Sequence, residues 1–429
     1  MYLMIQDTPI LQFNFDEQIY KVLDENRLPV KLRGIFMEEH PADVKTAVKY
    51  YEALTGYFAG RVLNLDRKNA KKILNAYHFS QMQDTVTKTK IAIACKAVSM
   101  ADDYWINDDS FSFLWENINP RENKLNEIIS HIALTGSSIT ATGLPHTPEM
   151  TGQGAYAKAW IREKDGVYLY KMGTGNNEEL TEAEVSNILD CFDVDHVSYS
   201  LTEFDHYRVS KCLNMCDDNR SIVPAEDFYS YCCRTGKDFM KEVLSVDEEV
   251  FCQTCIVDYL ISNSDRHMQN WGFYQNNRTG EIYRMHPLYD HNNAFDKGDM
   301  EDENGGMSLM VKGKTKREAA EMSLKMYPLR CIKPVKKDMF YSEEHYNSFM
   351  KRACSLGLYK QNQKSFLDKL RHKGEDFVPV KIECSIKREY ECEENFEKSE
   401  GIQPGTVYNK VMSEERGFTT QKEKDCIIR

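Results

Sequence analysis

The chain has 429 residues, 41% hydrophobic and 11% aromatic, which is enough for two or three units with substantial cores. Its 55 Lys and Arg residues face 67 Asp and Glu residues, and the net charge of -12 disfavours nucleic acid as a direct partner. The opening MYLMIQDTPILQF lacks a basic signal-type region, and no apolar run reaches the roughly 18 residues of a membrane span. With its 13 cysteines interpreted as free thiols, the chain is predicted to be cytoplasmic and not to bind a membrane.

The first third of the chain is predicted to be mostly helical. Residues 1–35 have the pattern of short strands and turns, and from Pro41 to about Ala101 the apolar spacing predicts helices. A polar and aromatic connector follows, and KLNEIISHIAL predicts one more helix. We expect residues 1–134 to form an N-terminal region that either extends the next lobe or provides a partner surface.

A change of composition at Thr135 marks the next unit. A segment rich in Gly, Ser, Thr and Pro leads into AYAKAWI and VYLYKM, which predict a β-hairpin turning at residues 164–166. The segment TEAEVSNILDCF predicts a helix opened by a capping box of Thr181 and Glu184. Two further strands are predicted from HVSYSL and YRVSKCL.

These elements predict an α+β protein with two lobes. Residues 135–223 are expected to form a small antiparallel-sheet lobe, and residues 224–380 a larger, mainly helical lobe. The highly charged residues 381–429 are expected to form a flexible, weakly packed tail.

Two cysteines three residues apart resemble half of a zinc site. In VFCQTCIVDYLI, however, Cys252 and Cys255 follow helical stripes of apolar residues. A single CxxC without a second pair of ligands is weak support for zinc, so we expect core thiols.

The polar cluster NSDRHMQNWGFYQNN, residues 263–277, raises the question of chemistry. Asp265 and Asn270 are close enough in sequence to face one site. A second hairpin, with its turn at residues 278–280, would bring Asn270 beside Asp290, and oxygen ligands of this kind suit Mg²⁺. On its own, the cluster is also compatible with a solvated turn.

The run DRHMQN at residues 265–270, with PLYD ending at Asp290, resembles HipA-like kinases and their phosphatidylinositol-kinase-like relatives. The resemblance covers roughly residues 135–375 and implies a two-lobed kinase-like fold. It implies Asp265 as catalytic base, His267 as a loop-ordering or phosphate-contacting group, and Asn270 and Asp290 as metal ligands. ATP, Mg²⁺, a protein Ser or Thr substrate and a small antitoxin-like partner follow from the same resemblance.

A kinase also needs a cation on the nucleotide phosphates, and Lys171 at the end of VYLYK is the candidate. Glu182 on the following helix is preferred to Glu184 as its carboxylate partner, because Glu184 is assigned to the capping box. The phosphate-covering loop is assigned to Gly152, Gly154 and Lys158. A strand-end lysine and an ordinary hairpin entry are the structural alternatives.

Other functions use some of the same residues. Nucleotidyl transfer (AMPylation) would need the same constellation, and a regulatory pseudokinase or binding module would keep the fold without the reaction. A metal-dependent hydrolase would use His267, His286 and His291, whose spacing fits no familiar zinc pattern. The resemblance also implies that Thr147 or Thr151, beside the glycines, is a self-modification site.

Overall fold

A computed structural model describes residues 1–141, 145–152 and 154–358, all within one compact unit. The predicted tail, 381–429, and Gln153 between the two loop glycines lie outside the described residues. Helices mix with antiparallel sheets, which confirms the predicted α+β class. In these ranges, no helix has the length and apolar character needed to cross a membrane.

The N-terminal part contains a sheet of order β3-β2-β1-β4 and several helices. The strands are β1 (Tyr2–Ile5), β2 (Thr8–Asn14), β3 (Ile19–Val22) and β4 (Tyr104–Asn107). The helices are α1 (Val44–Ala59), α2 (Ala70–Ala76), α3 (Thr85–Ala94), α4 (Trp115–Ile118) and α5 (Glu127–Thr135). Strand β4 lies in the stretch predicted as a connector. All four of its residues are buried, so no apolar and polar alternation marks it in the sequence.

The next sheet has the order β5-β6-β8-β7. Its strands are β5 (Ala157–Arg162), β6 (Val167–Met172), β7 (Tyr199–Phe204) and β8 (Tyr207–Leu213), and α6 (Glu178–Leu189) lies between β6 and β7 in sequence. The antiparallel pairing of β5 with β6 confirms the first predicted hairpin.

The predicted start of α6 is wrong, because the helix begins three residues before Thr181. The Glu178 carboxylate accepts hydrogen bonds from the backbone N–H groups of Thr174 and Asn176, at 2.9 and 3.2 Å, and so satisfies the preceding turn. Thr181 lies inside the helix, and Glu184 accepts a hydrogen bond from the Tyr341 N–H instead of closing a capping box.

The larger lobe contains a sheet of order β11-β10-β9 and most of the remaining helices. The strands are β9 (Arg220–Pro224), β10 (Gly272–Asn276) and β11 (Ile282–Met285). The helices are α7 (Ala225–Thr235), α8 (Phe239–Leu260), α9 (Lys297–Glu301), α10 (Lys316–Met326) and α11 (Glu343–Ser355). Antiparallel pairing of β10 with β11 confirms the second hairpin, and Cys252 and Cys255 are buried thiols in α8, as predicted.

Two hydrophobic cores set the positions of the elements around the cleft described below. One joins the N-terminal sheet and helices to Ala159, Tyr170 and Val209 of the β5-β6-β8-β7 sheet. The other packs Val185 and Ile188 of α6 against α8 and α11 of the larger lobe. Helix α6 is therefore fixed on its apolar side by the larger lobe.

Candidate active site

Lys171 lies near the end of β6, where it is paired with Lys158 on β5 and Ser210 on β8. Its Nζ donates to Glu182 Oε1 at 2.5 Å and to Asp290 Oδ1 at 2.6 Å. Burial alone would lower the pKa of Lys171, but the two carboxylates outweigh it and raise that pKa well above its usual value. The lysine is therefore a buried, permanent cation.

Glu182 is almost completely buried, at 1% exposure, on α6. Its Oε2 accepts a hydrogen bond from Ser210 Oγ at 2.5 Å, while its Oε1 contacts Lys171. The structure thus brings together the lysine and the carboxylate that the sequence analysis paired. Glu184 points elsewhere and contacts His345 Nδ1 at 3.0 Å.

Asp290 follows β11 and has a φ of 60°, in the left-handed region. This conformation is uncommon for residues other than glycine, and such strain concentrates at functional sites. Burial would raise the pKa of Asp290, but contact with the Lys171 ammonium dominates and holds it at about 2. The carboxylate is therefore charged throughout the physiological pH range.

The polar loop after α8 is held in place by the buried side chain of Arg266. Its guanidinium contacts Asp258 Oδ2 at 3.1 Å, and its Nη1 donates to the carbonyl oxygens of Asn270 at 2.7 Å and Tyr289 at 2.8 Å. One arginine therefore ties the loop to the segment that carries Asp290. This role was not predicted, although Arg266 lies inside the motif.

Within the loop, Asn270 Nδ2 donates to the Asp265 carbonyl oxygen at 2.8 Å, so the two residues are in contact. The Asp265 side chain is 41% exposed, and the nearby His267 side chain is 49% exposed. His267 Nε2 lies 3.8 Å from Asp265 Oδ1. Both side chains are therefore accessible to a substrate.

These residues meet at a cleft with a cavity of about 630 Å³. That volume is typical of sites for small molecules and cofactors. Of the nine residues predicted to take part in catalysis, nucleotide binding or metal binding, eight line the cleft: Gly152, Gly154, Lys158, Lys171, Asp265, His267, Asn270 and Asp290. The ninth, Glu182, contacts Lys171 from within the protein.

The two glycines of the loop allow cations to approach the backbone closely. A Cβ atom at Gly152 would lie 2.5 Å from Arg67 Nη1, and one at Gly154 would lie 2.6 Å from Lys158 Nζ. Gly154 also has a φ of 92°, which strongly favours glycine. Burial, with Arg67 and Lys171 nearby, lowers the pKa of Lys158 to about 7.

Arg67, a buried residue between α1 and α2, was not predicted from the sequence. Its Nη1 donates to the Glu149 and Gly152 carbonyl oxygens at 2.9 and 3.1 Å, and its Nη2 donates to the Lys158 carbonyl oxygen at 2.6 Å. The N-terminal region thus fixes both ends of the glycine loop. In the sequence Arg67 stands in the polar stretch LDRKNAKK, where nothing separates it from a surface arginine.

The two loop threonines already use their hydroxyl groups inside the protein. Thr147 is 3% exposed and its Oγ1 donates to Glu149 Oε2 at 3.1 Å. Thr151 Oγ1 donates to the Val98 and Pro148 carbonyl oxygens at 3.1 and 2.9 Å. A phosphate on either residue would require this part of the loop to move.

The oxygen atoms around Asp290 are suitable ligands for a hard divalent cation. Asn270 and Asp290 offer an amide and a carboxylate oxygen in the same cleft. Asn292 also lines the cleft, and its buried Oδ1 has no hydrogen-bond partner within the described residues. A buried oxygen of this kind is a suitable additional ligand.

The arrangement of histidines does not favour the hydrolase alternative. Within the described ranges, no group of three or more His, Cys, Asp or Glu side chains is placed to hold a metal ion. His286 is buried, its Nδ1 bonds the Pro287 carbonyl oxygen, and His267 lies on the exposed loop.

Residues 211–373 match the family model of the HipA-like C-terminal domain. That stretch contains Asp265, Asn270 and Asp290, whereas Lys171 precedes it. No curated protein matches the chain significantly.

Two solved structures are among those that the chain resembles. One is the Helicobacter pylori proinflammatory kinase CtkA, with 14% identity, coverage of 47% of this chain and 88% of that chain, and a TM-score of 0.33. The other is HipA of the Shewanella oneidensis MR-1 toxin–antitoxin system, in complex with HipB and operator DNA. It has 13% identity, coverage of 86% of this chain and 99% of that chain, and a TM-score of 0.48.

Proposed function

Because residues 211–373 match the family model of the HipA-like C-terminal domain, we propose that this protein is a kinase that uses ATP and Mg²⁺ to phosphorylate a Ser or Thr hydroxyl of a protein. The main support is the contact of Lys171 with Glu182 and Asp290 at a cleft that also exposes Asp265. Phosphoryl transfer needs a phosphate-binding cation, oxygen ligands for a metal and a carboxylate beside the attacking hydroxyl. The cleft offers all three.

Each group has a role in this proposal. The Lys171 ammonium has three N–H donors, of which two are directed to Glu182 and Asp290, so one is left for a phosphate oxygen. Asp265 accepts the proton of the substrate hydroxyl as the new O–P bond forms and the bond to the ADP leaving group breaks. His267 orders this loop or contacts the transferred phosphate.

Mg²⁺ would be held by Asn270 and Asp290, and when bound it supplies positive charge to the nucleotide phosphates. Gly152, Gly154 and Lys158 would cover those phosphates. Arg67 would keep the loop in place, because it binds the backbone of both Gly152 and Lys158.

The protein substrate and the regulation are proposed from the resemblance to HipA-like kinases. A small antitoxin-like protein is the proposed regulatory partner, in the cytoplasm. Any contact with DNA is assigned to that partner, because a chain with a net charge of -12 is repelled by phosphate backbones. Phosphorylation of Thr147 or Thr151 is the proposed inhibitory self-modification, and it would break their hydrogen bonds to Glu149 and Val98.

The decisive experiment compares the wild-type protein with Asp265→Asn, using ATP labelled on the γ-phosphate, Mg²⁺ and a host lysate. We expect the wild type to label a protein and the variant to lose at least about 100-fold in rate, as removal of a general base implies. Nucleotide affinity should stay within about twofold, because the carboxylate acts on the hydroxyl.

A parallel reaction with label on the α-phosphate separates the alternatives. Transfer of the α-label would replace phosphorylation with nucleotidyl transfer. Wild-type turnover in the Asp265→Asn variant would contradict the assigned base, and nucleotide binding without any transfer would indicate a pseudokinase.

Asp290→Ala tests the metal site. We expect weaker Mg²⁺-dependent ATP binding, with a defect that shrinks at high Mg²⁺ because Asn270 still offers a ligand. Titration of ATP affinity against Mg²⁺ concentration is the measurement. An unchanged Mg²⁺ dependence would remove Asp290 from the ligand set.

A further inference from the structure

A chain of hydrogen bonds crosses the cleft from the glycine loop to the proposed base. Tyr156, immediately before β5, donates its Oη–H to Asn293 Oδ1 at 3.3 Å. Asn293 Nδ2 in turn donates to Asp265 Oδ2 at 2.9 Å. Neither Tyr156 nor Asn293 belongs to the motif that identified the site.

The chemistry of the partners fixes the orientation of the Asn293 amide. A carboxylate only accepts hydrogen bonds, so the NH₂ group must face Asp265. The carbonyl oxygen then faces Tyr156, whose hydroxyl can donate to it. Rotating the amide by half a turn would place its oxygen beside the Asp265 carboxylate, and two acceptors would then face each other. The amide can therefore link Tyr156 and Asp265 in only one orientation.

Asn293 also holds the backbone that carries the base. The backbone carbonyl oxygen of Asn293 accepts hydrogen bonds from the Ser264 N–H at 3.3 Å and from Ser264 Oγ at 3.4 Å. One residue therefore restrains both the Asp265 carboxylate and the peptide before it. The Asp265 side chain is 41% exposed and has few other restraints, so its direction depends on this contact.

We propose that Asn293 positions the Asp265 carboxylate and that Tyr156 couples this positioning to the glycine loop. The proposal rests on the kinase function proposed above and adds a link between the two sides of the cleft. Tyr156 lies two residues after Gly154 and two before Lys158. When the glycine loop binds the nucleotide phosphates, it therefore also holds Tyr156 in place. The Asp265 carboxylate is then aligned when the glycine loop is bound to the nucleotide.

Kinetic measurements on four variants test the proposal. Asn293→Ala should lower kcat by about 10- to 100-fold with ATP affinity within about twofold of wild type, the range for loss of a positioning contact. Asn293→Asp should be at least as slow although it is isosteric, because it replaces the donor by a second carboxylate. Tyr156→Phe should lower kcat by about two- to fivefold, since it removes one long hydrogen bond.

The double variant of Tyr156→Phe with Asn293→Ala should be no slower than Asn293→Ala alone, because Tyr156 acts through Asn293. Multiplication of the two losses would overturn the coupling. Near-wild-type kcat in both Asn293 variants, or a loss of ATP affinity that matches the loss of kcat, would overturn the positioning role.

Hydrogen exchange measures the link without turnover, so that its failure is distinct from failure of the kinase function. Tyr156→Phe should speed amide exchange at residues 263–267, whereas Tyr168→Phe should not. Tyr168 is the matched control because it lies in the same hairpin and bonds the exposed Asp165 at 2.9 Å. Equal exchange in wild type and Tyr156→Phe would refute the coupling even in an active enzyme.

Discussion

Lys171 shows how a single side chain depends on both lobes of the cleft. Its ammonium contacts Glu182 on α6 at 2.5 Å and Asp290 after β11 at 2.6 Å. Burying a charge is unfavourable unless it is paired, so the two carboxylates explain why a lysine is tolerated here. The same charge is what a nucleotide phosphate would bind.

Lys171→Met should remove that charge while keeping a side chain of similar length. We expect ATP affinity to fall by about 10- to 100-fold, the equivalent of one charge-assisted hydrogen bond. Because Glu182 would remain buried without its cation, the free energy of unfolding should also fall by about 3 kcal/mol. Isothermal titration of ATP and urea unfolding measure the two effects.

Lys211→Met is the matched control for this variant. Lys211 lies on the neighbouring strand β8, and its Nζ contacts Glu163 at 2.6 Å, away from the residues that line the cleft. The Lys211→Met variant should therefore bind ATP with unchanged affinity. Equal losses in the two lysine variants would show that Lys171 acts only through stability.

At the scale of elements, the glycine loop depends on a segment distant in sequence. Arg67, between α1 and α2, holds three carbonyl oxygens of the loop and of β5. Burial lowers the pKa of Arg67 to about 10, yet the guanidinium remains charged at neutral pH. Its fork geometry suits several acceptors at once, which a lysine cannot reproduce.

Arg67→Lys should therefore loosen the loop. We expect ATP affinity to fall by about tenfold, because two or more of the three hydrogen bonds are lost and the loop is no longer held for binding. Arg61→Lys is the control, because Arg61 is a buried arginine of the same region that pairs with Asp102 at 2.7 Å. If Arg61→Lys weakens ATP binding as much as Arg67→Lys does, the effect is general destabilisation.

The elements that could be predicted are those whose signals are local. Both hairpins combine strand-forming residues with a turn, and the loop from Asp265 to Asn270 is contiguous, so spacing alone indicates them. Strand β4 could not be found, because a strand buried on both faces shows no alternation.

The start of α6 and the roles of Arg67 and Asn293 could not be predicted for a different reason. Each depends on contacts made after the chain folds: Glu178 bonds the turn before α6, and Arg67 reaches a loop more than 80 residues away. The sequence therefore predicts the residues of the candidate site better than it predicts what holds them in place.

At the scale of the molecule, the residues that line the cleft come from distant parts of the chain. Residues 99–101 of the N-terminal part line it together with residues of the small-lobe sheet and of the larger lobe. The N-terminal helices share a hydrophobic core with the β5-β6-β8-β7 sheet. The stability of the whole unit therefore bears directly on the geometry of the site.

Buried histidines near the cleft make that stability depend on pH. His286 is 2% exposed and His291 is 1% exposed. Burial lowers the pKa of His286 to about 4 and that of His291 well below its usual value. The folded protein therefore keeps them neutral under conditions in which the unfolded chain binds protons, so their contribution to stability rises with pH in this range.

We expect the contribution of His286 to the free energy of unfolding to fall by up to about 3 kcal/mol as the pH is lowered from about 6.5 to about 4, since one pKa unit corresponds to about 1.4 kcal/mol. The contribution of Asp290, with a pKa near 2, is lost only at more acidic pH. Burial raises the pKa of the Asp103, Glu149 and Asp227 carboxyls, which opposes the histidines, so the difference between wild type and a His286 variant isolates this histidine. Urea unfolding at several pH values measures the slope for wild type and His286→Asn. The variant should be less stable at pH 7.5, where it loses packing, but its stability should fall less between pH 6.5 and pH 4.5. Parallel curves for the two proteins would show that His286 does not remain neutral in the folded state while the unfolded chain is protonated.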